Sequence, residues 1–314
     1  MVPKKLRMST LKFYINRKPK IGPWGGGVKT VNLLVDAIRA AGHDVVFSLN
    51  ASNIDVIFCM DPRPNDLGEW YGHFLQYRKM HGAKIVQRVG DIGTHSKPEL
   101  TQLVRETIPL SDSVLYISQW AADTIGASNP NQEVIDLAPP KCFYDHRTTR
   151  ESASFPMRVV THHWSDNPKK GGALYKKFDD FIGLTKEFEF TFIGRLAEQF
   201  QLKHSTLVEP IGALELSELL PQYDVYLTAS IEEAGGNHSV EAMACGLPIV
   251  YHDAGGGVAN FCCNIGEGYR TFEEMLTKLR KTKNNYRDLK NRVLGYNRTL
   301  ENVCEQYVRA MESV

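Results

Sequence analysis

The sequence predicts an α/β protein of two doubly wound domains whose parallel sheets face each other across a cleft. Three observations carry that expectation. The chain has 314 residues, a length that suggests about two domains. Short apolar runs alternate with segments of helical periodicity in both halves, the pattern of parallel strands joined by crossover helices. Between the halves, residues 136–156 are rich in Pro, Asp, Arg, Thr and Ser without periodicity, and read as a linker.

In the first half, Leu11 to Ile15 reads as a strand. Gly25-Gly-Gly27 opens a helix whose apolar residues at 31, 34, 35 and 38 keep helical spacing, and Gly42 closes it. Asp44 to Phe47 and Asp55 to Phe58 are short strands, Trp70 to Met80 a helix, and Lys84 to Arg88 a strand. Pro98 starts a further helix. Ser113 to Ile117 is a strand, with a short helix from Ser118. In the second half, strands are expected at 158–161, 189–193, 205–208, 224–227 and 248–251, with helices near 171–182, 214–222 and 238–245. From Thr271 onward the chain is charged and helical.

Composition excludes several classes of function. The hydrophobic share of 42% fills two cores, and a net charge of +1 provides no electrostatic basis for binding nucleic acid. No run of about 18 apolar residues occurs, so no transmembrane segment is expected. The basic start, Met1 to Met8, reads as a loose tail, and Leu11 to Ile15 is too short and too charged for a signal-peptide core. The six cysteines form no CxxC pair, which points to reduced thiols in a cytoplasmic protein. The ten histidines include no HExxH spacing, and His162 and His163, adjacent on a strand, should face opposite ways. A metal site is not expected.

The chemistry concentrates in Ser230 to Val250. Glu233 and Glu241 stand eight positions apart, with Gly235, Gly236 and Asn237 between them. A strand ends just before and another begins at Pro248. This arrangement places Glu233 on a strand-to-helix loop and Glu241 on the first turn of the following helix, in the crevice where open α/β sheets bind ligands. Free amides at such a helix start attract a phosphate, and carboxylates beside it accept hydrogen bonds from sugar hydroxyls. Phosphate plus polyol suggests a nucleotide sugar. Taken singly, Glu241 reads more readily as a helix cap, Glu233 as a loop charge and the glycines as turn residues; the combination favours the ligand site.

Three further segments are candidates. Gly22-Pro-Trp-Gly-Gly-Gly-Val-Lys-Thr30 approaches the phosphate-binding pattern G-x-x-x-x-G-K-S/T, but Val28 intrudes before Lys29 and the strand ends too early. What remains is a bare loop that either approaches a ligand before a helix or serves only as a tight turn. Lys169 and Lys170, at the carboxyl end of a strand and ahead of a helix, could neutralise a diphosphate leaving group or simply be solvated. Arg88 to His95 leaves a strand toward the cleft, and Asp91 and His95 are its polar groups able to touch an acceptor hydroxyl.

With these residues in view, the chain resembles the family 4 glycosyltransferases. Glu233 through Glu241 is similar to their E-x7-E motif, and Glu-Ala-Met-Ala-Cys-Gly-Leu-Pro-Ile-Val250 to their E-A-M-A-x-G-x-P-V-V. Leu214 to Asp224, Asp253 to Gly256, Gly26-Gly27, Ala41 to Val45 and Asp112 to Ser118 also resemble family segments. The resemblance implies a GT-B fold, two Rossmann-like domains across a cleft: an acceptor-side domain over 1–145 and a donor domain over 146–295, with a closing helix at about 296–314 a candidate to pack back on the first. It implies transfer of a sugar from a nucleotide-diphosphate donor to a hydroxyl of a glycan, lipid-linked or small-molecule acceptor, with retention of configuration and no cofactor or metal; peripheral membrane contact stays open.

Carried over, Glu241 would hold the donor ribose, Glu233 the donor sugar, and Lys170 the phosphates. Gly235, Gly236, Asn237 and His238 would border the sugar and diphosphate, and Gly26 and Gly27 would close over the phosphates. The family's G-R pair before that lysine is missing: Ser165 stands where its arginine would be. His163 and Lys169 are the candidates to supply part of that charge, and Arg195, on the next strand, is not assigned the role. Asp91 or His95 would take the place of the family's first-domain histidine. A nucleotide-sugar binder without catalysis and a GT-B sugar-nucleotide epimerase are the alternatives.

Overall fold

The computed structural model describes residues 10–22 and 25–314. The loose-tail expectation for the first eight residues lies outside the described residues, as do Pro23 and Trp24 within the glycine segment.

The first domain runs β1 (Lys12–Ile15), α1 (Gly26–Ala40), β2 (Asp44–Val46), β3 (Val56–Cys59), α2 (Tyr71–His81), β4 (Lys84–Val89), α3 (Pro98–Thr107), β5 (Ser113–Tyr116), α4 (Gln119–Ile125) and β6 (Gln132–Val134). The second runs β7 (Met157–His163), α5 (Gly172–Ile182), β8 (Phe188–Gly194), β9 (Thr206–Val208), α6 (Ala213–Leu219), β10 (Val225–Thr228), α7 (Asn237–Ala244), β11 (Ile249–His252), α8 (Gly257–Cys262) and β12 (Glu267–Tyr269). Three helices follow: α9 (Phe272–Asn284), α10 (Tyr286–Leu294) and α11 (Leu300–Glu312).

Each domain contains one six-stranded sheet, ordered β2-β1-β3-β4-β5-β6 and β12-β11-β10-β7-β8-β9, with parallel pairing throughout. In the second sheet the order reverses between β7 and β10. Loops leaving neighbouring strands diverge there, and a crevice opens between them. The loop after β7 carries Lys169 and Lys170, and the loop after β10 carries Glu233, so the topology itself brings the candidate groups together.

The helices follow from their sequences. In α1 the buried residues Val31, Leu34, Val35 and Ile38 face the first sheet and one side of α11. Helix α11, capped by the Thr299 hydroxyl, buries Leu300, Val303, Cys304, Tyr307, Val308 and Met311 in that same core, so the end of the chain crosses back to the first domain. Helix α7 is buried from His238 to Ala244, which explains its small residues: it lies among β10, β11, α8 and α10 with no face to solvent. Ile117 and Leu137, from the first-domain side, enter the core around α7, so apolar packing continues across the domain junction.

Differences from the sequence expectations are local. Strand β7 pairs with β8 from Met157↔Phe188 to His163↔Gly194, two residues beyond 161, and carries both histidines to the strand's carboxyl end. β6, α8 and β12, elements of three to six residues, have no counterpart in the sequence expectations. Glu241 is not in the first turn of its helix. Gly236 takes a left-handed conformation (φ 76°) and α7 starts directly after it at Asn237, so Glu241 is the fifth helical residue and caps nothing.

Candidate functional site

Between the domains lies a cleft of about 430 Å³, within the range of small-molecule sites. Its second-domain wall is the loop after β10 and the start of α7. Gly235 and Gly236 make this turn: a side chain at 235 would strike Leu137 and Ile117, and one at 236 would strike Val258 in a backbone conformation that favours glycine. Glu232 is also left-handed (φ 53°). The loop carrying Glu233 is pinned on one side by the turn after β11, where Glu232 N–H donates to Ala254 O at 2.8 Å and Gly257 N–H to Glu233 O at 2.8 Å. The first domain grips the other side. Thr94 Oγ1 donates to Glu232 O at 2.6 Å, His95 Nε2 meets Ile231 O at 3.0 Å, and the Ser118 hydroxyl donates to Ala234 O.

Each carboxylate is buried and held by a lysine. Glu233, 8% exposed, is bonded by the Lys170 ammonium. Burial alone would raise its pKa, but the Lys170 charge, joined by smaller effects of His238 and His95 nearby, more than reverses this and brings it to about 2. Glu241, 3% exposed, receives Lys29 Nζ at 2.7 Å on Oε1 and meets His162 Nε2 at 2.9 Å on Oε2. Here too burial pushes upward, and the Lys29 charge with the His162 bond brings the pKa to about 2. Both groups are therefore anions at neutral pH.

Three histidines gather at the base of the cleft. The ring of His238 lies 6.2 Å from His162 and 4.8 Å from His163, and its Nε2 meets Thr228 Oγ1 at 2.9 Å. Burial depresses all three pKa values, His163 well below the ordinary range and His238 to about 3. The Tyr175 hydroxyl accepts from Ala229 N–H and from the Thr161 hydroxyl, and lies 2.8 Å from His163 Nε2. Among the described residues neither His162 Nδ1 nor His163 Nδ1 has a hydrogen-bond partner.

From the first domain, Gly26 approaches Asn237 so closely that a Cβ would sit 2.1 Å from its side-chain nitrogen, and Gly25 faces Trp164. Gly27 is exposed and does not line the cleft, because α1 turns it outward. Asp91 lines the cleft with its carboxylate bonded to Lys97 (2.7 Å) and to Gly93 N–H. His95 lines it too, with its pKa lowered by burial.

Two expectations about charge need correction. His163 supplies none, since burial keeps it neutral. Lys169 is committed elsewhere, to Glu232 and to Thr94 O at 2.6 Å, and does not line the cleft. Ser165 occupies the place of the expected arginine, its hydroxyl accepting from Asn167 N–H. The Arg195 guanidinium lies over the Trp164 ring at 4.3 Å and lines a small adjoining hollow rather than the main cleft.

Sequence reasoning missed Lys29, His162, Thr94 and Ser118. Lys29 was visible as the one cation of the glycine segment, and His162 as the neighbour of a singled-out residue at a strand end. Thr94 and Ser118 contribute through backbone carbonyls of the other domain, which no local pattern reports. Ile193, Pro210, Ile211, Ala213 and Leu216 contribute apolar lining to the cleft. Among the described residues no three His, Cys, Asp or Glu side chains come together as metal ligands, and no helix is long and apolar enough to cross a membrane.

Comparison with known proteins places this geometry. Residues 164–279 match the family model of the group 1 glycosyl transferases, which supports a glycosyltransferase. Solved structures match over nearly the whole chain. WaaG, a glycosyltransferase involved in lipopolysaccharide biosynthesis, aligns at TM-score 0.68 with 14% identity over 96% of this chain and 99% of its own. A glycosyltransferase from Rickettsia africae ESF-5 aligns at 0.70 with 13% identity over 98% and 99%. Anabaena Alr3699/HepE, solved in complex with UDP-glucose, aligns at 0.71 with 14% identity over 98% and 100%. At such identities the likeness shows the fold, which is GT-B. No curated protein sequence matches the chain.

Proposed function

We propose that the protein is a retaining, metal-independent glycosyltransferase that moves a sugar from a nucleotide-diphosphate donor to a hydroxyl of a glycan, lipid-linked or small-molecule acceptor. The observation that carries this reading is the pair of buried carboxylates, Glu233 and Glu241, each kept ionised by a lysine in a cleft between two Rossmann-like domains. Acceptor-only carboxylates at fixed positions suit the hydroxyls of a ribose and a sugar. The apolar lining from Ile193 to Leu216 fits a nucleobase, and the UDP-glucose bound by the Anabaena structure supports a donor of this class.

In this mechanism Glu241 holds the ribose, and Glu233 orients the transferred sugar. Lys170 stabilises charge on the departing phosphate, with the amides of Gly235, Gly236, Asn237 and His238 bordering it. Gly26 closes against Asn237 from the other domain and excludes water. The acceptor hydroxyl attacks the anomeric carbon from the face the diphosphate leaves. The carbon–phosphate-oxygen bond breaks as the new glycosidic bond forms, and the acceptor proton passes to the departing phosphate oxygen. Asp91 and His95 lie on the acceptor side.

The test is release of nucleoside diphosphate, with transfer of the sugar to acceptor, followed by mass spectrometry. Wild type should show transfer and Glu233→Gln should lose it while still binding donor. Conversion of the donor sugar without any acceptor would instead indicate an epimerase, and donor binding with no turnover in wild type would indicate a binding protein.

A further inference from the structure

The group that balances the donor's second phosphate charge is not supplied by the second domain. Ser165 stands where an arginine would serve, Arg195 is stacked on Trp164, Lys169 is held by Glu232 and Thr94, and the histidines at the cleft base are neutral. Among the described residues the lysines lining the cleft are Lys29, Lys97 and Lys170, and the lining carboxylates are Asp91, Glu233 and Glu241. These six charges cancel in pairs, as Lys97–Asp91, Lys170–Glu233 and Lys29–Glu241. A nucleotide sugar with a negative charge on each phosphate can enter favourably only if cations are released from carboxylates that receive hydroxyls in exchange.

Lys29 is placed for such an exchange. It sits one turn into α1, whose first residue packs on Asn237 at the start of α7, so its stem rises from the first-domain wall directly over the turn of the second domain. Its ammonium occupies Oε1 of Glu241, while Oε2 is held by His162 from the same domain as Glu241. Lys29 is about a quarter exposed on its side chain, against a tenth for His162, so Lys29 is the partner that can move. A ribose hydroxyl reaching Glu241 displaces it, and a flexible stem with three donors then delivers a full charge to the adjacent phosphates.

We propose that Lys29 is the diphosphate-binding cation that replaces the absent arginine, contributed by the opposite domain and handed from Glu241 to the donor as the ribose binds. This rests on the function proposed above. In consequence, donor binding exchanges a cross-domain ion pair for a cross-domain phosphate contact, so the phosphates themselves hold the two domains together.

Titration calorimetry tests the exchange, using wild type, Lys29→Met and Lys29→Arg against a panel of nucleotide-diphosphate sugars, with the matching nucleoside and nucleoside monophosphate as shorter probes. Lys29→Met should weaken the diphosphate sugar by about 10- to 100-fold, the scale of one charged hydrogen bond. It should also reduce the salt dependence of that affinity, while leaving the nucleoside bound as tightly as before or tighter because Glu241 is freed. Lys29→Arg should retain most of the wild-type affinity. Wild-type binding with unchanged affinity and salt dependence in Lys29→Met would overturn the inference alone, as would an equal loss for nucleoside and diphosphate sugar, which would make Lys29 a support for Glu241. A wild type that binds no nucleotide sugar overturns the function itself, and this inference with it.

Discussion

Lys170→Met should destabilise the protein by leaving Glu233 charged and unpaired in a nearly dry site. The two side chains retain only 18% and 11% of their exposure. Removing one partner of a buried ion pair costs about 3–5 kcal/mol, and the remaining exposure lowers the expectation to about 2–4 kcal/mol at pH 7.5. The sign of its pH dependence follows from the carboxyl. In wild type the Glu233 pKa is depressed to about 2, so its stabilisation is present above the ordinary glutamate value and is lost as pH falls toward 2. In the variant the largest charge opposing burial is gone and the pKa is expected to rise above the ordinary value, so the penalty at neutral pH shrinks as the solution is acidified toward pH 5. Urea unfolding of both proteins at the two pH values measures this. Lys170→Met/Glu233→Gln, with no stranded charge, should recover most of the lost stability while remaining inactive. A loss below about 0.5 kcal/mol for the single variant, an equal loss at both pH values, or a double variant no more stable than the single would refute the account of the pair.

Other consequences follow from the same geometry. Gly26→Val places a side chain within the Asn237 amide and should hold the domains apart, cutting transfer at least about tenfold and enlarging the scattering radius of the donor-bound protein; unchanged transfer would show that this contact is not needed. His162, His163 and His238 have depressed pKa values, so the unfolded chain binds more protons below its ordinary histidine value of 6.5. His163 and His238, the two with large shifts, should each make unfolding free energy fall by about 1.4 kcal/mol per pH unit on acidification below that value, and His238→Gln should reduce the slope by one such increment. If lysines alone meet the diphosphate charge, a strong chelator should leave the transfer rate unchanged, whereas loss of rate restored by a divalent cation would place a metal in the reaction.

The parts of this molecule that were legible in its sequence are those encoded by local period and turn chemistry. The alternation of strand and helix, the Gly235–Gly236 turn and the small-residue helix behind it are each written in consecutive residues, and they suffice for two doubly wound sheets and for Glu233 on a loop at a strand end. The position of Glu241 slipped by a turn, because Gly236 in its left-handed conformation lets α7 begin at Asn237. What stayed hidden depends on residues far apart in the chain. Lys29 meets Glu241 across 212 positions, and Thr94, His95 and Ser118 hold carbonyls of residues 231–234. Such contacts have no sequence period, since they exist only when the two sheets face each other. Charge state was hidden for a related reason. His163 was a plausible cation by residue type, and only burial against Tyr175 and His238 makes it neutral.

The central claim is that the cleft binds a nucleotide-diphosphate sugar through its two carboxylates. A thermal-shift panel of such donors on wild type and Glu241→Gln tests it most directly. At least one donor should raise the wild-type melting temperature, with a much smaller shift in the variant. No stabilisation of wild type by any donor, or equal shifts in both proteins, would contradict it.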